Sequence, residues 1–272
     1  MQQFLLPLAH LGGIKSRGKR ARFMEQMYTA LYICVMGPFG LHVMRTSTPQ
    51  VWYFNTRGMY EGYPHRLQTG EAKVYYLVQA AFWMQQALVM VLGLEKRRND
   101  FKELLGHHIV TLSLIGLSYR FHFTYMGIAV YITHDISDLL LAICKSLVYV
   151  NSRFIAHSFV IAVAGWVYLR HYLNIRILVS LVTEFRTVGP YELDWETEQY
   201  KCWISNVVTF VLLAALQGLN IFWLGALLRS AYRLVFLKIV KDDRSEDEEE
   251  ESGEGGKESG RREGRRAAVA DR

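Results

Sequence analysis

Residues 101–151 read FKELLGHHIVTLSLIGLSYRFHFTYMGIAVYITHDISDLLLAICKSLVYVN. Two apolar runs, roughly 104–119 and 122–145, flank a short polar break from Tyr119 to His122. Runs of that length around a break of that kind make an antiparallel helical hairpin. The first run opens on the paired histidines His107 and His108, and the second carries His134, Asp135 and Asp138. With the turn near residue 121, His107 lies as far before it as Asp135 lies after it. At about 1.5 Å of rise per residue, both sit roughly 20 Å from the turn and level with each other. Asp135 and Asp138, three apart, share a helix face, and His134 and Asp138, four apart, are also neighbours.

Working outward, the chain repeats long apolar blocks. Spans are expected at roughly 23–44, 74–94, 104–119, 122–145, 154–173 and 206–228, six in all, with an amphipathic, mixed stretch over 174–203. Residues 4–12 (FLLPLAHLG) are apolar but too short to cross a bilayer. Apolar residues make up 51% of the chain, which outweighs a very polar tail, and many Tyr and Trp fall at block edges. The fold class is therefore all-α, a polytopic membrane protein. Lys and Arg are densest in 15–22, 95–103, 145–153 and beyond 229, and placing these segments on one side makes the spans alternate consistently. By the positive-inside rule that side is the cytosol, so both ends face it. The net charge of +6 comes from these flanking clusters and does not indicate a nucleic-acid partner.

The outlying segments say less. The first ten residues have no basic n-region or small-residue cleavage site, so they are not expected to act as a secretory signal, and no N-x-S/T sequon marks a loop. Cys34, Cys144 and Cys202 form no regular frame and are expected to be buried and inert. From 241 to 272 the composition turns to Glu, Gly, Ser and Arg, which buries too little apolar surface to offset chain entropy, and disorder is expected. Ser245, directly before the acidic run Glu246–Glu251, is a candidate phosphorylation site for an acid-directed kinase.

An intramembrane Asp costs about 2.5–3.5 kcal/mol on insertion scales, so two in one span call for partners, and the imidazoles at the same depth are the expected ones. A carboxylate on one imidazole nitrogen fixes the tautomer and frees the other nitrogen. Such an imidazole takes an acyl group from a thioester and passes it to an amine, or deprotonates an ammonium so that the amine attacks. A zinc site built from His107 or His108 with Asp135 and Asp138 is chemically open, but no metal is assigned. The sequence carries no nucleophile elbow, P-loop or H-E-x-x-H motif. His10 and His122, near interfaces, are expected to be structural, and His42, His157 and His171 are given no role.

The same stretch resembles the Lag motif of ceramide synthases, within the TLC membrane domain. The resemblance rests on HHIVT at 107–111, SY at 118–119, Gly127, HDISD at 134–138 and the Lys145–Tyr149 spacing. It extends to WYFNTR at 52–57, YPH at 63–65, YYLVQAAFWMQQ at 75–86 and EKRRNDF at 95–101, as in fungal members. The resemblance implies a TLC-type helical barrel over 23–240 in the endoplasmic reticulum membrane. It implies transfer of a fatty acyl group from acyl-CoA, a co-substrate with no further cofactor, to a sphingoid base. The required residues map onto His107, His108, Asp135 and Asp138. His107 is expected to accept the acyl group with Asp138 as its partner, and His108 and Asp135 to orient or deprotonate the amine. The loop 191–203 is expected to influence acyl length. A homo- or heterodimer and a small regulatory subunit are expected partners. Relatives carry an additional membrane helix at the N-terminus, so residues 1–22 are expected to be the end of that helix followed by a basic cytosolic segment. A non-catalytic TLC protein for lipid transport, sensing or translocation is the alternative reading.

Overall fold

A computed structural model of the chain describes residues 2–47, 51–94 and 99–236, so Lys96, Arg97, Arg98, Ser245 and the tail over 241–272 lie outside the described residues. The described residues are helical, in the order α1 (Gln2–Leu11), α2 (Arg17–Thr46), α3 (Gly70–Val91), α4 (Phe101–Arg120), α5 (Thr124–Tyr149), α6 (Ile155–Trp166), α7 (Asn174–Thr183) and α8 (Trp203–Phe236). Two short 3-10 turns, Trp52–Phe54 and Arg57–Met59, interrupt the segment between α2 and α3.

Four helical stretches are long and apolar enough to cross a membrane by length and composition: Arg17–Thr46, Gly70–Val91, Thr124–Tyr149 and Trp203–Leu234. Their outer faces expose Leu31 and Val35 on α2, Val74 and Leu88 on α3, and Val207, Val211 and Ile221 on α8. An apolar belt of that extent suits contact with lipid and would be a liability in water. α4 is shorter and carries Lys102, Glu103, two histidines and Arg120, which lowers its hydropathy.

Two expected boundaries are corrected. The helix that begins at Ile155 does not stop at 173. A π-helical segment, Val167–Leu173, joins α6 directly to α7, and the rod continues to Thr183. The apolar face of α7, with Ile177 and Leu181 buried, continues that of α6 and holds the extra turns against the core. α8 runs beyond the expected 206–228, from Trp203 to Phe236. The expected turn between α4 and α5 is found at Phe121–Phe123, where His122 adopts the left-handed conformation (φ 61°).

α5 is the central helix. It buries residues from Thr124 through Ser146 on several faces, including the polar His134, Asp135 and Ser137. At the end near the α4–α5 turn, Tyr60, Tyr63, Phe123 and Phe185 pack ring on ring, and Tyr63 donates a hydrogen bond to the Phe121 carbonyl (2.7 Å). At the opposite end the short α1 folds back, and Ala9, Ile14 and Phe23 pack with Met27, Tyr149 and Val150. Cys144 and Cys202 are buried, whereas Cys34 is exposed, contrary to expectation, on the outer face of α2.

Candidate active site in the helical core

The hairpin brings the expected residues to one level. His107 and His108 are buried on α4, and the His107 ring lies 6.4 Å from that of His134 on α5. Asp135 is fully buried, and the Asp138 side chain, one turn further, keeps 28% of its surface.

Each carboxylate has a partner that is not an imidazole. Asp135 Oδ2 accepts a short hydrogen bond from the Gln79 amide on α3. Gln79 is itself held by Tyr75, whose hydroxyl accepts from its Nε2 (3.1 Å), and by Tyr32, whose hydroxyl donates to its Oε1 (3.0 Å). Asp138 Oδ1 lies 2.5 Å from Arg170 Nη2 in an ion pair. The guanidinium, almost fully buried, also donates to Ser137 Oγ (2.6 Å), to Asn220 Oδ1 (3.2 Å) and to the His134 carbonyl (3.4 Å), and it stacks 4.0 Å from the Trp166 ring. Arg170 sits inside the π-helical segment. The wider turn of a π segment shifts the angular phase of the helix, a device found mostly at functional sites.

Arg170 also fixes the state of His134. Because Asn220 Oδ1 accepts from Arg170, its Nδ2 faces His134 Nε2, 3.3 Å away. His134 Nδ1 lies 2.9 Å from the Val130 carbonyl, which can only accept. His134 is therefore the Nδ1–H tautomer with both nitrogens engaged, and it has no lone pair left for nucleophilic attack.

His107 is placed differently. Its ring is bracketed by the indoles of Trp83 (6.1 Å) and Trp223 (5.3 Å), both edge-on, and by His108 (5.8 Å). Trp223 is anchored through its Nε1, which donates to Asp100 Oδ2 (3.0 Å) at the start of α4. Nε2 of His107 lies 3.4 Å from Thr111 Oγ1, and its Nδ1 has no hydrogen-bond partner among the described residues.

His107 stands at the head of an elongated cavity of about 260 Å³ between α4, α5 and α8. Its walls are apolar, with Leu114, Ile115, Met126, Val130, Leu213 and Leu216; His134 lies beside His107, and Tyr131 also lines the cavity. Leu193, Trp195, Tyr200 and Cys202, from the segment between α7 and α8, line the far end. That cap is fastened by Glu198, which pairs with Arg66 (3.3 Å) and with His122 (3.4 Å). Behind it, the buried Lys201 ammonium donates to the Val188 carbonyl beside the rings of Tyr60 and Phe185. Burial pushes the Lys201 amine down to about 8.

Other histidines have evident local partners. His10 meets Arg20 (3.3 Å), His42 pairs with Glu71 (3.2 Å), and His171 bonds Gln217 (2.7 Å). Among the described residues, no three side chains of His, Cys, Asp or Glu gather as metal ligands. Arg170, Gln79, Asn220, Trp83 and Tyr131 were missed from the sequence. An Arg, a Gln or an Asn within an apolar span is itself the signal for the first three. The two aromatics look like ordinary core or interface residues until the cavity is seen.

The TLC domain profile matches residues 22–229. Over 246 residues, 90% of this chain, the sequence is 61% identical to the sphingosine N-acyltransferase-like protein FUM17 of Gibberella moniliformis and covers 63% of that protein. It is 51% identical to the sphingosine N-acyltransferase lac1 of Schizosaccharomyces pombe, of which it covers 64%. It is 50% identical to the ceramide synthase LAG1 of Saccharomyces cerevisiae, of which it covers 59%. The chain thus spans about three fifths of the length of these relatives.

Proposed function

The chain belongs to the TLC-domain family, and we propose that within it the protein acts as a sphingosine N-acyltransferase, joining a fatty acyl group from acyl-CoA to the amine of a sphingoid base. The names of the relatives support this reading. The observation that carries it is the position of His107, a buried imidazole with one nitrogen unengaged, at the head of a long apolar cavity.

In this reading the acyl tail lies in the cavity and its carbonyl carbon meets His107. From His107 to Phe121 the cavity follows about 14 residues of helix, or roughly 20 Å, a length suited to a fatty chain. The imidazole attacks the thioester, the sulfur leaves, and the amine of the second substrate displaces the histidine. Asp138, held by Arg170, is the charged group nearest bulk solvent in the quartet, and it attracts the substrate ammonium. His108 and Asp135 complete the polar end of the site. The reaction needs acyl-CoA as co-substrate and no further cofactor.

The distribution of Lys and Arg supports six spans with the basic segments on the cytosolic side, and the family resemblance implies the endoplasmic reticulum membrane. The 191–203 segment at the far end of the cavity is then the part that senses acyl length. Assembly as a dimer or with a small regulatory subunit belongs to the same reading.

The test is N-acylation of dihydrosphingosine by membranes containing this chain, with a panel of acyl-CoAs. His107→Ala, Asp135→Asn and Asp138→Asn are run beside the parent. Amide formation by the parent, lost in the three variants, is the expected result. A well-folded parent that binds lipid but releases no CoA overturns the enzyme reading in favour of a lipid-transport or sensing TLC protein.

A further inference from the structure

Three buried polar atoms on the cavity lining have no hydrogen-bond partner among the described residues: Nδ1 of His107, Nε1 of Trp83 and the hydroxyl of Tyr131. Buried polar groups are nearly always paired in folded proteins, so three such atoms on one cavity require an explanation. They come from three different helices, α4, α3 and α5. Trp83 Nε1 and the Tyr131 hydroxyl are N–H and O–H donors, and His107 Nδ1 offers a lone pair in the tautomer whose proton is on Nε2.

We propose that Trp83 and Tyr131 are the two donors that hold the carbonyl oxygen of the acyl group while its carbon is bonded to His107. The proposal rests on the acyl-transfer reading and assigns residues to that reaction beyond the His and Asp quartet.

The placement of each group is fixed by its neighbours. The Trp83 indole meets the His107 ring edge-on at 6.1 Å. Tyr131 lies one turn from His134 on α5, and its ring is held edge-on by Tyr76 at 5.3 Å and Tyr75 at 6.3 Å. Thr111 Oγ1, 3.4 Å from Nε2 of His107, can accept from an Nε2–H, and the proposed step uses that tautomer, in which the nucleophilic lone pair is on Nδ1. Fixed donors in an apolar enclosure stabilise a developing oxyanion more than the same donors in water, because they need no reorganisation.

The step balances as follows. The Nδ1 lone pair of His107 bonds to the thioester carbon, and the C=O π pair moves onto oxygen, where Trp83 N–H and Tyr131 O–H hold it. The carbonyl re-forms, the C–S bond breaks, and the thiolate leaves with the proton released from Nε2. In the second half the substrate ammonium gives one proton to a carboxylate of the quartet, and the amine attacks the same carbon. The oxygen is again held by the two donors. The bond from carbon to His107 then breaks, its pair returns to Nδ1, and the second amine proton restores the neutral imidazole.

Tyr131→Phe and Trp83→Phe remove each donor from the full chain. CoA release and amide formation are measured by single-turnover and steady-state assays, with thermal unfolding of the purified protein alongside. Loss of an oxyanion donor lowers kcat about 10²–10³-fold, with KM for acyl-CoA changed only a few-fold. Tyr131→Phe is the sharper variant: deleting an unpaired buried hydroxyl leaves thermal stability unchanged or raised, so a merely structural role predicts no loss of kcat. An active parent with kcat within about threefold in both variants overturns the donor assignment alone. A parent that releases no CoA overturns acyl transfer itself, and this proposal with it.

Discussion

Arg170 Nη2 lies 2.5 Å from Asp138 Oδ1, across 32 residues of sequence and between two neighbouring helices. The same guanidinium reaches Ser137 and Asn220, so one side chain joins α5, the π-helical segment and α8. Breaking a buried pair by removing one member typically costs about 3–5 kcal/mol, because the other charge is left stranded. Asp138 keeps some solvent, which places this pair at the low end of that range.

Arg170→Met is therefore expected to destabilise the protein by about 3 kcal/mol, and Arg170→Lys by less. The double variant Arg170→Met with Asp138→Asn recovers part of the loss, because no stranded carboxylate remains. Thermal midpoints of the detergent-purified variants measure this. A double variant as unstable as the sum of the singles would show that the two side chains act independently.

Gly127 lies where α5 meets α3. A Cβ there would sit 2.5 Å from the hydroxyl oxygen of Tyr76 and 2.9 Å from its Cε2, and Tyr76 is buried and bonded to Ser118. Gly127→Ala gains about 1 kcal/mol of helix propensity and meets an overpacking cost of about 1–3 kcal/mol. The net expectation is a lower melting point, at roughly 2–4 °C per kcal/mol for a chain of this size. A melting point above that of the parent would mean that Tyr76 moves freely.

Lys201 confers a pH dependence of defined sign. Its amine titrates at about 8 in the fold against 10.5 when unperturbed. Between those values the unfolded chain holds the extra proton, so stability rises as pH increases from about 8. Burial pushes the Tyr60 and Tyr63 phenols up, so above about pH 10 the unfolded tyrosines ionise first and the slope reverses. Melting curves between about pH 7.5 and about pH 10 are expected to show the rise in the parent and not in Lys201→Met. An identical slope in both would assign the effect to another group.

Leu213 lines the middle of the cavity from α8. Leu213→Trp narrows the passage between His107 and the cap, and amide products from a mixed acyl-CoA pool are expected to shift to shorter chains. Mass spectrometry of the products reads this directly. An unchanged length distribution would place the acyl chain elsewhere.

Much of the architecture was legible in the sequence because it depends on local periodicity. The hairpin of α4 and α5 followed from two apolar runs about a polar break, and the level of His107 with His134 and Asp135 followed from counting residues on either side of the turn. Asp135 and Asp138 share a face because helical geometry requires it. None of this needed a partner from elsewhere in the chain. What the carboxylates bond to was a different matter. Gln79 is 56 residues from Asp135, and Asn220 is 86 from His134. Those pairings depend on which way each helix is rotated in the bundle, and for Arg170 the π-helical segment sets that rotation. The cavity is likewise a property of the space between α4, α5 and α8. Sequence periodicity determined which residues lie on each helix face, and only the packing of the helices decided which faces meet, because side chains far apart in sequence find each other through three-dimensional fit.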